Sequence, residues 1–152
     1  MAAAAAALEQ GLIHEPSNRT EEVTLSRLRN RAAEMIIRYE VADESAIPHL
    51  ERAIYIDYDI NERLAEITAL RVIGTDAAIA VLTEYLRHQN QRQLEGLGPR
   101  DYRTIHATLR ALGESGSAIG REDITMVGFS GWTPAVEKAA AEALEMLDAS
   151  GR

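Results

Sequence analysis

Apolar positions along this chain recur three and four residues apart and nowhere alternate as a strand would. Between residues 21 and 39 they fall at Val23, Leu25, Leu28, Ala32, Met35, Ile36 and Tyr39, which is the spacing of a helix with one buried stripe. Asn18 three residues before Glu21 supplies a start signal, a short polar cap followed by an acid. A break at Val41–Asp43 precedes a helix over 44–56, with Pro48 in its first turn, where a missing N–H does no harm. Asp57–Glu62 is a polar corner in which Asp59 and Glu62 form another capping pair, and capping is the role expected of both Asp57 and Asp59. A helix over 61–73 stops at Gly74, and Thr75–Asp76 opens the next, over 76–88. The stretch 88–100, with Gly96, Gly98 and Pro99, is a connection whose first part can prolong that helix. Asp101 restarts a helix ending near Gly113, a turn at 114–117 leads to a shorter helix over 118–127, and Gly128–Gly131 is a loop. Thr133–Pro134 opens the last helix, which runs to about Leu147. The count is about seven helices and no strand.

The chain also repeats itself. Displaced by 32 positions, Arg31 meets Arg63, Ala33 meets Ala65, Glu34 meets Glu66, Ala46–Ile47 meets Ala78–Ile79, and Leu50 meets Leu82. A shorter signature marks the first helix of later units. Ala65-x-x-x-Ala69-Leu70-x-x-Ile73 matches Thr104-x-x-x-Thr108-Leu109-x-x-Leu112 and Ala139-x-x-x-Ala143-Leu144-x-x-Leu147. These positions share one helix face, small residues permitting close approach and large ones filling the space between repeats. Gly74 and Gly113 directly follow the last aliphatic residue in two units, where a left-handed conformation would turn the chain into the second helix.

The segments L-R-V-I-G-T-D-A-A-I-A-V-L (70–82) and L-R-A-L-G-E-S-G-S-A-I (109–119) resemble bacterial HEAT repeats, most nearly the short HEAT-like repeat named after the phycobilin lyases. The resemblance spans roughly residues 20–148. The first unit departs from it, since Val41–Asp43 replaces the Leu-Gly turn, and the connection 88–100 is longer than usual. It implies an all-α fold, an α-solenoid of about three helix pairs plus a C-terminal helix, occupying residues 18–148. Residues 1–17, opening with the run Ala2–Ala7, are expected to be a low-complexity, flexible leader, and 149–152 a tail. The Ala-rich last helix suggests a piece of a longer solenoid.

Charge and composition narrow the function classes. The chain has 152 residues with 24 acids and 16 bases, a net charge of −8. A strongly acidic chain is a poor nucleic-acid binder, and no stretch is long and apolar enough for a membrane span. There is no cysteine, so disulfides, thiolate metal sites and a cysteine nucleophile are excluded. The charge is uneven: Arg27, Arg29, Arg31 and Arg38 make the helix over 21–39 basic, whereas residues 111–152 hold seven acids against three bases.

Candidate chemistry is sparse. His14, His49, His88 and His106 lack metal-ligand spacing, and His14–Glu15 has no second histidine. Asp57 with Asp59 and Glu122 with Asp123 are carboxylate pairs without an evident pocket. Gly113-x-x-Gly116-x-x-x-Gly120 follows no strand and lacks the Gly-Lys of a phosphate loop. No catalytic residue, metal or cofactor is assigned, and an enzyme is not expected.

The expected function is a non-catalytic protein–protein interaction scaffold. In HEAT-like arrays the second helices line a concave face, which here would carry His49 and Arg52, then Glu84, Arg87 and His88, then Arg121 and Asp123. Arg52, Glu84, Arg87 and His88 are the candidate binding residues. Phe129 and Trp132, the only Phe and the only Trp, join them as aromatic anchors in the loop, with packing over the end of the core as the competing role. Tyr55, Tyr58 and Tyr85 are expected in packing between repeats. Self-association through the terminal helices stays open. The alternatives are an accessory or lyase-like module acting on a chromophore or modified protein, and a structural segment of a larger assembly. A cytoplasmic setting is the default, with an exported or lipid-anchored parent as the other option.

Overall fold

A computed structural model describes residues 2–13 and 15–151, and every regular element among them is helical. Eight α-helices follow in order: α1 (Ala2–Ile13), α2 (Arg19–Tyr39), α3 (Ile47–Ile56), α4 (Ile60–Ile73), α5 (Asp76–Leu94), α6 (Arg103–Ser115), α7 (Arg121–Val127) and α8 (Pro134–Ser150). Single 3-10 turns, Glu44–Ala46 and Ala118–Gly120, lead into α3 and α7. The all-α expectation holds. No helix among the described residues is long and apolar enough to cross a membrane.

The additional helix is α1. Residues 2–13 were expected as a flexible leader, but Ala has the highest helix propensity, and Ala4, Ala5, Leu8 and Leu12 are buried. Small side chains let this helix approach α2 and α3 closely. His14, named above with Glu15, lies outside the described residues.

The chain divides into two compact units, with the boundary between Thr75 and Asp76. In the first unit α2 and α4 lie side by side, α1 packs beside α3, α1 also packs on α2, and α3 on α4. The second unit repeats the pattern: α6 lies beside α8, α5 beside α7, α5 on α6, and α7 on α8. The boundary cuts the expected 61–88 pair at its turn.

Part of the short repeat signature recurs in α2, as Ala32 and Ile36, with Leu28 and Ala33 departing from it. Setting Ala32, Ala33 and Ile36 against Ala69, Leu70 and Ile73 gives one stripe at i, i+3, i+4 and i+7 in all four first helices, buried throughout except at the half-buried Leu144 of α8. Its last position holds Ile36, Ile73, Leu112 and Leu147, all buried, and its second holds Ala32, Ala69, Thr108 and Ala143, also buried. Each buried Leu or Ile contributes on the order of 1.5–3 kcal/mol. The leading position is Ile105 in α6 and Ala140 in α8, but Arg29 in α2 and Glu66 in α4, again all buried.

Helix ends follow local chemistry closely. The Asn18 side chain accepts from the Glu21 N–H at 3.0 Å, and the Glu21 carboxylate accepts from the Ser17 N–H at 2.8 Å. Asp59 caps α4 at the N–H groups of Asn61 and Glu62. Gly74 takes the expected left-handed conformation (φ 65°). Gly113 does not: it is helical and buried in α6, and a Cβ there would lie 2.9 Å from the Ala143 Cα of α8. The helix therefore runs two residues past it, and Gly116 (φ 67°) makes the turn. Thr133 is the N-cap of α8 with Pro134 following, but its hydroxyl is buried without a partner.

Candidate functional site

In the first unit the leading stripe position makes a buried polar cluster between α2 and α4. Arg29 is 6% exposed and the Asp57 side chain is fully buried. The Arg29 Nε–H donates to Asp57 Oδ1 at 3.0 Å and lies 3.2 Å from Oδ2, and its Nη2 forms a second, close bond to Oδ1. Nη1 turns the other way and donates to the Gly11 carbonyl of α1 at 2.6 Å. Asp57 follows the end of α3 in extended conformation, which swings its carboxylate inward, while Arg63 Nε–H donates to the Asp57 carbonyl at 2.6 Å. Capping thus explains Asp59 but not Asp57. Arg29 is likewise not part of a solvated basic face.

Glu66 completes the cluster. It is fully buried, and neither carboxylate oxygen accepts a hydrogen bond from a protein donor. Burial, and then the adjacent Asp57 carboxylate, push its carboxyl up to about 11. The physical state is therefore a neutral Glu66 acid that donates its proton to the Asp57 carboxylate, which Arg29 neutralises from the other side. One cation, one anion and one neutral acid leave the buried interior with no net charge.

Arg29 and Asp57 of this cluster, but not Glu66, line a cleft of about 750 Å³. Arg29 and Asp57 lie at its base, Ser26 and Glu62 on its walls, and Tyr58 at its mouth with 85% exposure. Ser26 Oγ lies 3.3 Å from Asp57 Oδ1 and closely contacts Glu62. Burial raises the Glu62 carboxyl above its ordinary value. The Arg29 guanidinium already fills the cation's place, and among the described residues no three His, Asp or Glu side chains converge to hold a metal.

Sequence reasoning passed over this cluster, although a signal was present: aligning α2 on Ala32-Ala33-x-x-Ile36 places Arg29 and Glu66 at a register that is Ile105 and Ala140 in the second unit.

The expected binding residues are distributed otherwise. Arg52 is exposed on α3, in the first unit. Glu84, Arg87 and His88 are exposed on α5, in the second. Arg87 bridges Glu84 at 2.6 Å and the nearly buried Asp123 of α7 at 2.9–3.0 Å. Asp123 is thus an anchor between α5 and α7. Phe129 is 72% exposed.

Trp132 corrects its assignment as a binding anchor. It is 5% exposed, its Nε1–H donates to Asn90 Oδ1 at 2.8 Å, and its ring meets Tyr102 edge-on at 5.8 Å. Asn90 in turn donates to the Asp123 carbonyl at 3.0 Å. A large ring with one polar edge packs inside when that edge finds a partner, so Trp132 holds the loop down while Phe129 points out. Of the three tyrosines expected in packing, only Tyr85 is buried; Tyr55 and Tyr58 are exposed.

No family model matches the chain, and no curated protein or solved structure matches it either.

Proposed function

We propose that the chain is a HEAT-like helical-repeat module that binds a segment of a partner protein without catalysing a reaction. The observation that carries this is the recurrence of one four-helix arrangement in both units, with first helices side by side and second helices side by side. Stacked pairs of this kind bury their common stripe and leave the outer faces of the second helices to solvent. Those faces carry Arg52 on α3 and Glu84, Arg87 and His88 on α5. Met126 and Phe129, joined by a backbone hydrogen bond of 3.0 Å, add an exposed apolar pair at the end of α7. Within the second unit, the charged groups of α5 with Phe129 as aromatic anchor suit an extended or helical partner segment.

The cleft of the first unit bears on the lyase-like alternative. A small-molecule site is usually enclosed and apolar with a few convergent polar groups, whereas this cleft has an ion pair, Arg29 with Asp57, in its lining and further charged groups, Arg19, Glu22, Arg27 and Glu62, around it. It suits a side chain of a docked partner better than a chromophore.

The test is site-specific photo-crosslinking in cells of the source organism, with the photoreactive residue at Phe129, at Arg52, or at the exposed control Lys138. The proposal expects one protein captured from Phe129 or Arg52 and not from Lys138. Absence of adducts at both test positions, or equal adducts at all three, would contradict it.

A further inference from the structure

The contacts between first helices inside each unit show what the outer edges of α2 and α8 are shaped to meet. In the second unit Gly113 and Gly116 of α6 lie against Ala143, Met146 and Ser150 of α8. With Leu147 set against Ile36, those receiving positions correspond to Ala32, Met35 and Tyr39 of α2. In the first unit Ser26 of α2 contacts Glu62 of α4. Ser26 corresponds to Glu137 of α8, and Gly113 to Asp148. Thus α2 has the receiving side of such a contact and α8 the docking side. Met35 and Tyr39, and likewise Glu137 and Asp148, are nevertheless exposed.

The two edges are complementary in shape and charge. On α2, Leu28, Met35 and Tyr39 form an apolar ridge at i, i+7 and i+11, and Tyr39 is 63% exposed. Arg27, Arg31 and Arg38 run alongside, exposed and bridged by no acid among the described residues. Glu34, the one exposed acid between residues 23 and 39, accepts from the Asn30 amide at 3.2 Å. On α8 the edge consists of Glu137, Ala141, Glu145 and Asp148, all exposed, with the half-buried Leu144 beside them. Lys138 on the same helix lies 3.7 Å from Glu142, and Asp148 also bridges Arg121 of α7 at 2.6 Å. A short side chain such as Ala141 leaves a groove into which an apolar ridge fits. Acids facing arginines then select this partner and this edge.

We infer that α8 of one copy docks against α2 of a second copy, so that the row of first helices continues from molecule to molecule. The register of the contacts within the units runs the two helices in the same direction. It sets Ala141 level with Leu28 and Glu145 level with Arg31, with Asp148 within about one turn of Arg38. The contact is heterologous: each copy uses one edge and leaves the other free, so assembly closes as a ring or continues as a chain. Exposed ion pairs contribute little each, so the ridge supplies affinity and the charges supply specificity. Neither Arg52 nor Phe129 takes part, so the inference stands or falls apart from the protein-binding proposal.

The test uses the full chain, which lacks native cysteine. Leu28→Cys and Ala141→Cys report the contact by disulfide formation under mild oxidation. An equimolar mixture of the two variants should give a linked dimer, and neither variant alone should. In sedimentation velocity the mean mass of wild type should rise above that of the monomer with concentration. Arg31→Glu with Arg38→Glu, or Glu137→Arg with Glu145→Arg, should weaken association about tenfold or more at an unchanged thermal midpoint, and mixing these two chains should restore it. Linked dimers from either cysteine variant alone would show a like-to-like contact and overturn the inference. So would a monomer at every concentration up to about 1 mM. Vesicles of phosphatidylcholine and phosphatidylserine are the control: binding to them that needs Arg31 and Arg38, without self-association, would assign the arginine edge to a membrane surface instead.

Discussion

Glu66 is the residue whose chemistry departs furthest from its type. Its carboxyl is neutral in the folded chain and ionised in the unfolded chain above the ordinary carboxylate range, so folding takes up a proton between that range and about pH 11. The unfolded state then binds fewer protons than the native state, and this contribution to stability falls as pH rises, by up to about 1.4 kcal/mol per unit. Gln has the shape of the neutral acid and can donate to Asp57 at any pH. Glu66→Gln is therefore expected to be more stable than wild type, with a gap in denaturation midpoint that widens from about pH 6 to about pH 9. A constant gap would show that Glu66 does not carry the proton. Arg29→Met leaves the buried Asp57 carboxylate without its cation and should cost roughly 3–5 kcal/mol in chemical denaturation. Combining Arg29→Ile, Asp57→Asn and Glu66→Ala, which copies the Ile105 and Ala140 pairing, should recover most of that loss. This cluster was the least legible feature of the sequence. Arginine, aspartate and glutamate are ordinarily solvent-facing, and Asp57 stands two residues from Asp59, whose capping role is indistinguishable from it by residue type.

At the scale of elements, helix starts and periodicity were legible because their causes are local. Asn18, Asp59 and Pro134 each stand where a helix begins. Gly113 was misread because its role is set by a distant helix: the chain needs a missing Cβ against Ala143, not a left-handed turn. Gly113→Val is accordingly expected to overpack the contact between α6 and α8, costing about 1–3 kcal/mol. A loss close to zero would mean that the two helices part easily. The two loop aromatics differ for a similar reason. Three residues apart in one loop and alike in type, they separate because Asn90 offers Trp132 a buried acceptor and Tyr102 an aromatic neighbour. Trp132→Phe keeps an aromatic body but strands Asn90, and should lower the unfolding free energy by about 1–3 kcal/mol. An unchanged midpoint would contradict the anchoring role.

For the whole molecule, the abundance of alanine and the internal repeat indicated helices packed closely, and the same helix order does recur in both units. The division between Thr75 and Asp76 was not legible, since Gly74 marks a turn in the same way whether or not a unit ends there. The net charge of −8 also overstates the acid by one, because burial holds Glu66 neutral, whereas the internal Arg29–Asp57 pair cancels. Under the proposed function, each unit offers a partner the exposed groups of its own second helices, and the second unit adds the exposed Phe129. The most direct test of that claim is the affinity of the crosslinked partner segment for Phe129→Ala and Arg52→Ala, measured by calorimetric titration beside the thermal midpoint of each variant. Binding weakened by about tenfold or more, with midpoints unchanged, is the predicted result; wild-type affinity in both variants would contradict it.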